Sequence, residues 1–150
     1  MIFVSACLVG YNCRYNNKNT LVQELKGLYE QGFLFPICPE LMCALGVPRD
    51  PVYIDGNRGE DVLTGKARVV SENGADLTRK FIDSAQKCVQ LANVFSITKA
   101  ILKDKSPSCG VSRTYTATGV QPQRGVTAAA LHQAGITLYD ENSYIKKGML

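Results

Sequence analysis

The sequence predicts an α/β fold: one domain over residues 1–150, with a mostly parallel, Rossmann-like sheet and helices on both faces. Three observations predict it. Short apolar runs rich in Ile, Val and Phe alternate with segments of helical periodicity. Gly32 and Gly135 stand where two of those helical segments should stop. The apolar runs end abruptly in turn-forming residues, as the strands of a parallel sheet do at their carboxyl ends.

Ile2-Phe3-Val4 is the first strand, ending at Ser5-Ala6-Cys7. Leu8 to Thr20 is rich in Asn and carries Gly10, so it reads as a loop. Leu21, Leu25 and Leu28 recur at helical spacing before Gly32. Phe33 to Ile37 forms a second strand that runs into Cys38-Pro39-Glu40. Between Gly46 and Gly74 the prolines and glycines predict loop, with short β pieces at Val52–Ile54 and Ala67–Val70. Asp76 to Asn93 is the clearest helix, with Phe81, Ile82, Ala85, Val89 and Ala92 on its apolar face and Cys88 beside them. Phe95 to Leu102 is a buried strand, followed by a loop over Lys103–Gly110. Val126 to Gln133 is helical, Ile136–Tyr139 is the last strand, and a final helix is expected after it.

Bulk properties exclude several classes. A net charge of +4, spread along the chain, offers no basic stripe for a nucleic acid polymer. No apolar stretch approaches the roughly 20 residues of a membrane span. Met1 to Val4 lacks the basic region of a signal peptide, so a cytoplasmic protein is expected, a monomer or weak homodimer. Six cysteines in a reducing compartment are not a disulfide framework; they are core residues, reactive thiols or metal ligands.

Cys88, inside the amphipathic helix, reads as a small core residue. Cys13 and Cys43 lie in loops, and their spacings from Cys7 and Cys38 match no close-paired zinc motif. Cys7, Cys38 and Cys109 share one context. Each follows a predicted strand, and parallel strands bring such positions to one sheet edge. In Lys105-Ser106-Pro107-Ser108-Cys109-Gly110 the Pro and Gly shape a tight turn, which can aim backbone N–H groups at a thiolate and lower its pKa. Thiolate ligands select zinc, cuprous copper or iron–sulfur clusters. His132, the one histidine, falls within a helix and makes a Cys3His zinc site unpersuasive. A cubane held by three cysteines leaves one iron open, as a catalytic site requires.

At these residues the chain resembles the bacterial family catalogued as domain of unknown function 523, which includes 2-thiouracil desulfurases. The resemblance is carried by Ser5-Ala6-Cys7-Leu8 with Gly10 and Arg14-Tyr15, and by Cys38-Pro39-Glu40 with Leu45, Pro48 and Arg49. It continues in Leu102-Lys103, in Ser106 to Gly110, and in Gly125-Val126-Thr127-Ala128. It implies a 4Fe–4S cluster on Cys7, Cys38 and Cys109, and non-redox removal of sulfur from a thiolated pyrimidine, with Glu40 and Ser106 close to the cluster. Ser108, Arg14 and Asn16 are the expected substrate contacts. The chain departs from the family pattern at Asn16-Asn17, where Asp-Gly is usual, and at Gln123-Arg124, where Gly-Asp is usual. Cys43 stands where Gly is common.

An iron lacking a protein ligand is a Lewis acid soft enough for a thiocarbonyl sulfur. Glu40, two residues after Cys38, is placed to activate water or carry a proton; its other reading is a carboxylate in the first turn of a helix. Two further readings stay open on the residues alone. One is a structural or sensory cluster or zinc module; the other is a metal-free thiol enzyme using Cys109.

Overall fold

The computed structural model describes residues 1–144. Four parallel strands form the main sheet: β1 (Ile2–Ser5), β2 (Leu34–Ile37), β5 (Lys99–Leu102) and β8 (Thr137–Asp140). Their order is β2-β1-β5-β8, so the chain reverses its direction of winding at β1. In register, Phe3 lies opposite Phe35 and Ala100, and Val4 opposite Pro36 and Ile101. β1 is therefore covered on both faces, which is why it reads as a continuous apolar run.

Successive side chains of the sheet point to opposite faces. Phe3, Ala100 and Leu102 pack with Cys88 and Ala92 of α4 (Thr78–Val94) and with Ala128 and Leu131 of α5 (Val126–Gln133). Val4, Leu34, Ile101 and Tyr139 pack on the other face with Leu25 of α1 (Gln23–Glu30). Helices thus lie on both faces of a parallel sheet, as the sequence predicts.

Three features differ from the sequence reading. First, a second sheet exists, ordered β4-β3-β6-β7. β3 (Val52–Asp55) and β4 (Arg68–Ser71) are the predicted β pieces and pair antiparallel. β6 (Thr114–Thr116) and β7 (Gly119–Gln121) form an unpredicted hairpin that joins β3 through Ile54 and Thr116. Second, β5 begins at Lys99, because Phe95 ends α4 and Ser96 turns the chain with a φ of 54°. Third, a short helix, α3 (Gly59–Leu63), interrupts the predicted loop, and α2 (Pro39–Met42) puts Glu40 in the first turn of a helix, the second of the two readings given for it. The helix expected after the last strand falls mainly outside the described residues; residues 141–144 form a turn.

Val52, Ile54 and Val69 of the second sheet share a core with Phe81 and Ala85 of α4 and with Val126 and Ala130 of α5. Residues that end or follow β1, β2 and β5, together with residues of β3 and β6, line a cavity of about 420 Å³.

Candidate functional site

Cys7 sits in the 3-10 turn Ala6–Val9 that follows β1. Its carbonyl accepts the N–H of Thr20 at 3.0 Å, and its Sγ receives the Thr20 hydroxyl at 3.3 Å. Cys38 is the extended residue before α2, and Pro39 takes the first helical position, where its missing N–H costs nothing. Cys13 lies against both thiols. Hydrogen bonding from Cys13 lowers the Cys7 thiol and, with help from the Leu41 N–H and against burial, brings Cys38 to about 7. Those same bonds raise Cys13.

Cys109 is held by a loop with few free polar groups. Asp104 accepts the backbone N–H groups of Val111, Ser112 and Arg113 at 3.2, 3.0 and 2.9 Å and pairs with the Arg113 guanidinium at 2.9 Å. Ser106 Oγ accepts the N–H groups of Ser108 and Cys109 at 3.2 and 3.1 Å. The turn then seats directly on the amino end of α5. Gly125, Val126 and Ala128 donate to the carbonyls of Gly110, Pro107 and Ser108 at 2.9, 2.9 and 3.0 Å. Unpaired N–H groups at a helix start need acceptors, and the cysteine turn supplies them. A Cβ on Gly125 would stand 2.7 Å from the Pro107 carbonyl oxygen, so only glycine permits this approach.

This seating corrects one expectation. The N–H groups of the turn are spent on Ser106 Oγ rather than on a thiolate. Burial raises the Cys109 thiol, against hydrogen bonds from Ser5 and Ser108. A free Cys109 is thus a poor nucleophile, which weakens the metal-free reading.

Glu40 is the second residue of α2. Its Oε2 receives the Ser108 hydroxyl at 3.4 Å and lies 3.6 Å from Nη2 of Arg49. Burial pushes its carboxyl up; Arg49, Ser108 and Arg14 pull the other way without cancelling the rise.

Cys7, Cys38, Cys109, Glu40, Ser106 and Arg14 all line this cavity. Ser108 does not; it is fully buried beneath the wall and joins Ser106, Glu40 and Cys109. Asn16 does not either. It is exposed, and its side chain accepts the N–H of Lys18 at 3.1 Å. Asn17 takes a φ of 59°, a conformation Asn tolerates, so Asn16-Asn17 preserves a turn that Asp-Gly would make. Gln123 and Arg124 lie against the α3 region, bonding the Asn57 carbonyl and standing 3.8 Å from Glu60. Both departures from the family pattern therefore lie off the cavity wall. Cys43 and Cys88 are core thiols, raised by burial to about 11 and about 12.

Sequence reasoning gave no role to several other residues of the wall, among them Tyr15, Tyr53, Glu72, Lys103, Asp104 and Tyr115, and it left Cys13 ambiguous. Tyr15 had a signal, its place beside Arg14, whose guanidinium lies 5.8 Å from the ring centroid. Among the described residues no three His, Cys, Asp or Glu side chains close on a single-ion site. The thiols instead surround a cavity, and an all-thiolate donor set of this kind fits a sulfur-bridged iron cluster. Also among the described residues, no helix is long and apolar enough to cross a membrane.

A family model described as 2-thiouracil desulfurase matches residues 2–143. The Bacillus subtilis (strain 168) protein YbbK, itself described as uncharacterized, is 39% identical over 145 residues, which span 95% of this chain and 96% of that one. Among solved structures, the chain is similar to the 4Fe-4S-dependent thiouracil desulfidase TudS, with a TM-score of 0.84 and 31% identity over 99% of this chain and 95% of that one.

Proposed function

The chain belongs to the 2-thiouracil desulfurase family, and on that premise we propose that it removes sulfur from a thiolated pyrimidine or related thiocarbonyl compound without net oxidation or reduction. One observation carries the reading. Three thiols from the segments that follow three parallel strands, Cys7, Cys38 and Cys109, meet a largely buried carboxylate, Glu40, on one cavity. In this reading those three thiolates hold a 4Fe–4S cluster. When bound, it would supply an iron free of protein ligands, a soft Lewis acid for the thiocarbonyl sulfur.

The chain's own residues do the rest. Glu40 takes a proton from the attacking water and returns one to the departing sulfur. Its raised pKa suits that exchange better than an ordinary carboxylate would. Ser106 faces the cavity, and its hydroxyl lies 3.0 Å from that of Ser108, which in turn donates to Glu40. A chain of hydroxyls thus runs from the wall to the carboxylate. Tyr15, Tyr53 and Tyr115 offer flat apolar faces to a planar base, and Arg14 offers donors to its carbonyl edge. Water replaces sulfur at carbon, giving the carbonyl product and hydrosulfide; no electrons are left over. The free cysteines fit a cytoplasmic setting.

Anaerobic reconstitution followed by multiple turnover of 2-thiouracil tests this. Iron and sulfide at about four each per chain, with sulfide release in the absence of any reductant, is the expected result. About one zinc per chain would favour a structural module. A strict need for an electron donor would replace the hydrolytic mechanism with a redox one.

A further inference from the structure

Arg49 stands behind the cavity wall, between Cys13 and Glu40. Its side chain is only 8% exposed. Nη2 donates to the Cys13 carbonyl at 2.8 Å and lies 3.6 Å from Glu40; Nη1 donates to the Gly46 carbonyl at 3.2 Å. Its backbone N–H donates to the Tyr15 carbonyl at 2.8 Å. Arg49 thus brackets the segment that carries Arg14 and Tyr15 onto the cavity. That segment is otherwise tied mainly to itself. Arg14 bonds the Lys18 carbonyl, Asn17 bonds the Arg14 carbonyl, and Tyr15 to Asn19 are exposed.

The Nε of Arg49 is buried and has no hydrogen-bond partner among the described residues. A buried cation with an unpaired donor costs stability, and the contacts of its other two nitrogens offset that cost. Lysine would not substitute, because one ammonium cannot span two carbonyls and a carboxylate from a fixed plane.

We propose that Arg49 is a positioning residue for the desulfuration reaction: from behind the cavity wall, its guanidinium holds the Cys13–Tyr15 segment and the Glu40 carboxylate at a set separation. The inference rests on Glu40 being the proton-transfer group.

The test uses reconstituted protein carrying Arg49→Met, Arg49→Lys or Glu40→Gln, and each Arg49 variant combined with Glu40→Gln. The Lys variants serve if the Met ones fail to fold. Iron content should match wild type throughout. Arg49→Met should lower kcat about 10–100-fold and raise KM. In the Glu40→Gln background the kcat effect should vanish, because Arg49 acts on kcat through Glu40, while the KM effect persists through the Arg14–Tyr15 wall. Trypsin should cut at Arg14 or Lys18 faster in the Arg49 variants and at the wild-type rate in Glu40→Gln. Additive kcat losses in the double variant, or unchanged tryptic cleavage in the Arg49 variants, would overturn the proposal. Wild-type turnover in Glu40→Gln would reject the functional reading itself, while the tryptic rates still judge Arg49's hold on the wall.

Discussion

The hydroxyl of Ser108 meets Oε2 of Glu40 at 3.4 Å across 68 residues of sequence. The link joins the turn after β5 to the turn after β2, passing over the carboxyl end of β1 between them. It ties the general-base candidate to the loop that bears Cys109. Ser108→Ala should therefore keep the iron and lower kcat about tenfold, the worth of one hydrogen bond to a charged group. Glu40→Gln keeps the shape and removes the proton-transfer group, so its loss should be larger, about 10²–10⁴-fold. Anaerobic assays of sulfide release measure both; equal losses would count against this ranking.

Cys7→Ser, Cys38→Ser and Cys109→Ser should each prevent cluster assembly. Cys13→Ala, Cys43→Ala and Cys88→Ser should not. Cys13 is the stringent member of the second group, because it touches Cys7 and Cys38 yet is assigned no iron. Iron content and visible absorption after reconstitution decide it. A Cys13→Ala protein short of iron would mean that the site is fully coordinated and the iron not open.

Gly125→Ala should act at a distance. Its φ of −73° suits any residue, so no backbone strain arises. The added methyl instead meets the Pro107 carbonyl oxygen at 2.7 Å and must push the cysteine turn off α5. A loss of about 1–3 kcal/mol is expected, the usual cost of overpacking, together with lower iron loading. Chemical unfolding and iron analysis would show both; normal loading would mean that the turn does not depend on this seat.

Asp104 should make stability depend on pH in a definite direction. Burial alone would raise its carboxyl, but the N–H groups of Arg113 and Ser112 and the Arg113 guanidinium hold it below the usual range. Its folded pKa is thus lower than the unfolded value of about 3.9. The stabilisation is complete above that value and is lost as pH falls through the folded one. Asp104→Asn should be about 1–3 kcal/mol less stable at pH 7, and the gap should close below about pH 4. Urea unfolding of cluster-free protein across that range measures it; a gap that widens on acidification would have the sign wrong.

Much of this was legible in the sequence because it follows from period and position. The face of α4 is marked by Phe81, Ala85 and Ala92, and all three are buried. That Cys7, Cys38 and Cys109 share one sheet edge follows from the parallel strands, while the seat of Cys109 on α5 does not. The second sheet was not legible. β6 and β7 are three residues each, too short for a period; they pair as a hairpin, and β6 joins β3 through a single residue pair. Hence Tyr53 and Tyr115 went unnoticed. That Ser108 and Asn16 lie off the cavity wall was not legible for a different reason. Both stand beside residues that do reach the cavity, and sequence adjacency says nothing about which side of a turn a side chain leaves from.

The seating of the cysteine turn on α5 also sets a timetable for biosynthesis. A chain emerging from the ribosome amino end first can pair β1 with β2 early, yet the other edge of β1 stays open until Lys99–Leu102 appears. Even then the turn bearing Cys109 has no acceptor-hungry helix to rest on until Val126–Gln133 has coiled. Cys7, Cys13 and Cys38 are long since synthesised by that point. Metal delivered to the nascent chain would find those early thiols without their partner. On the proposed ligand set, all three thiols stand together only after Val126–Gln133 has coiled, so complete loading would follow that step.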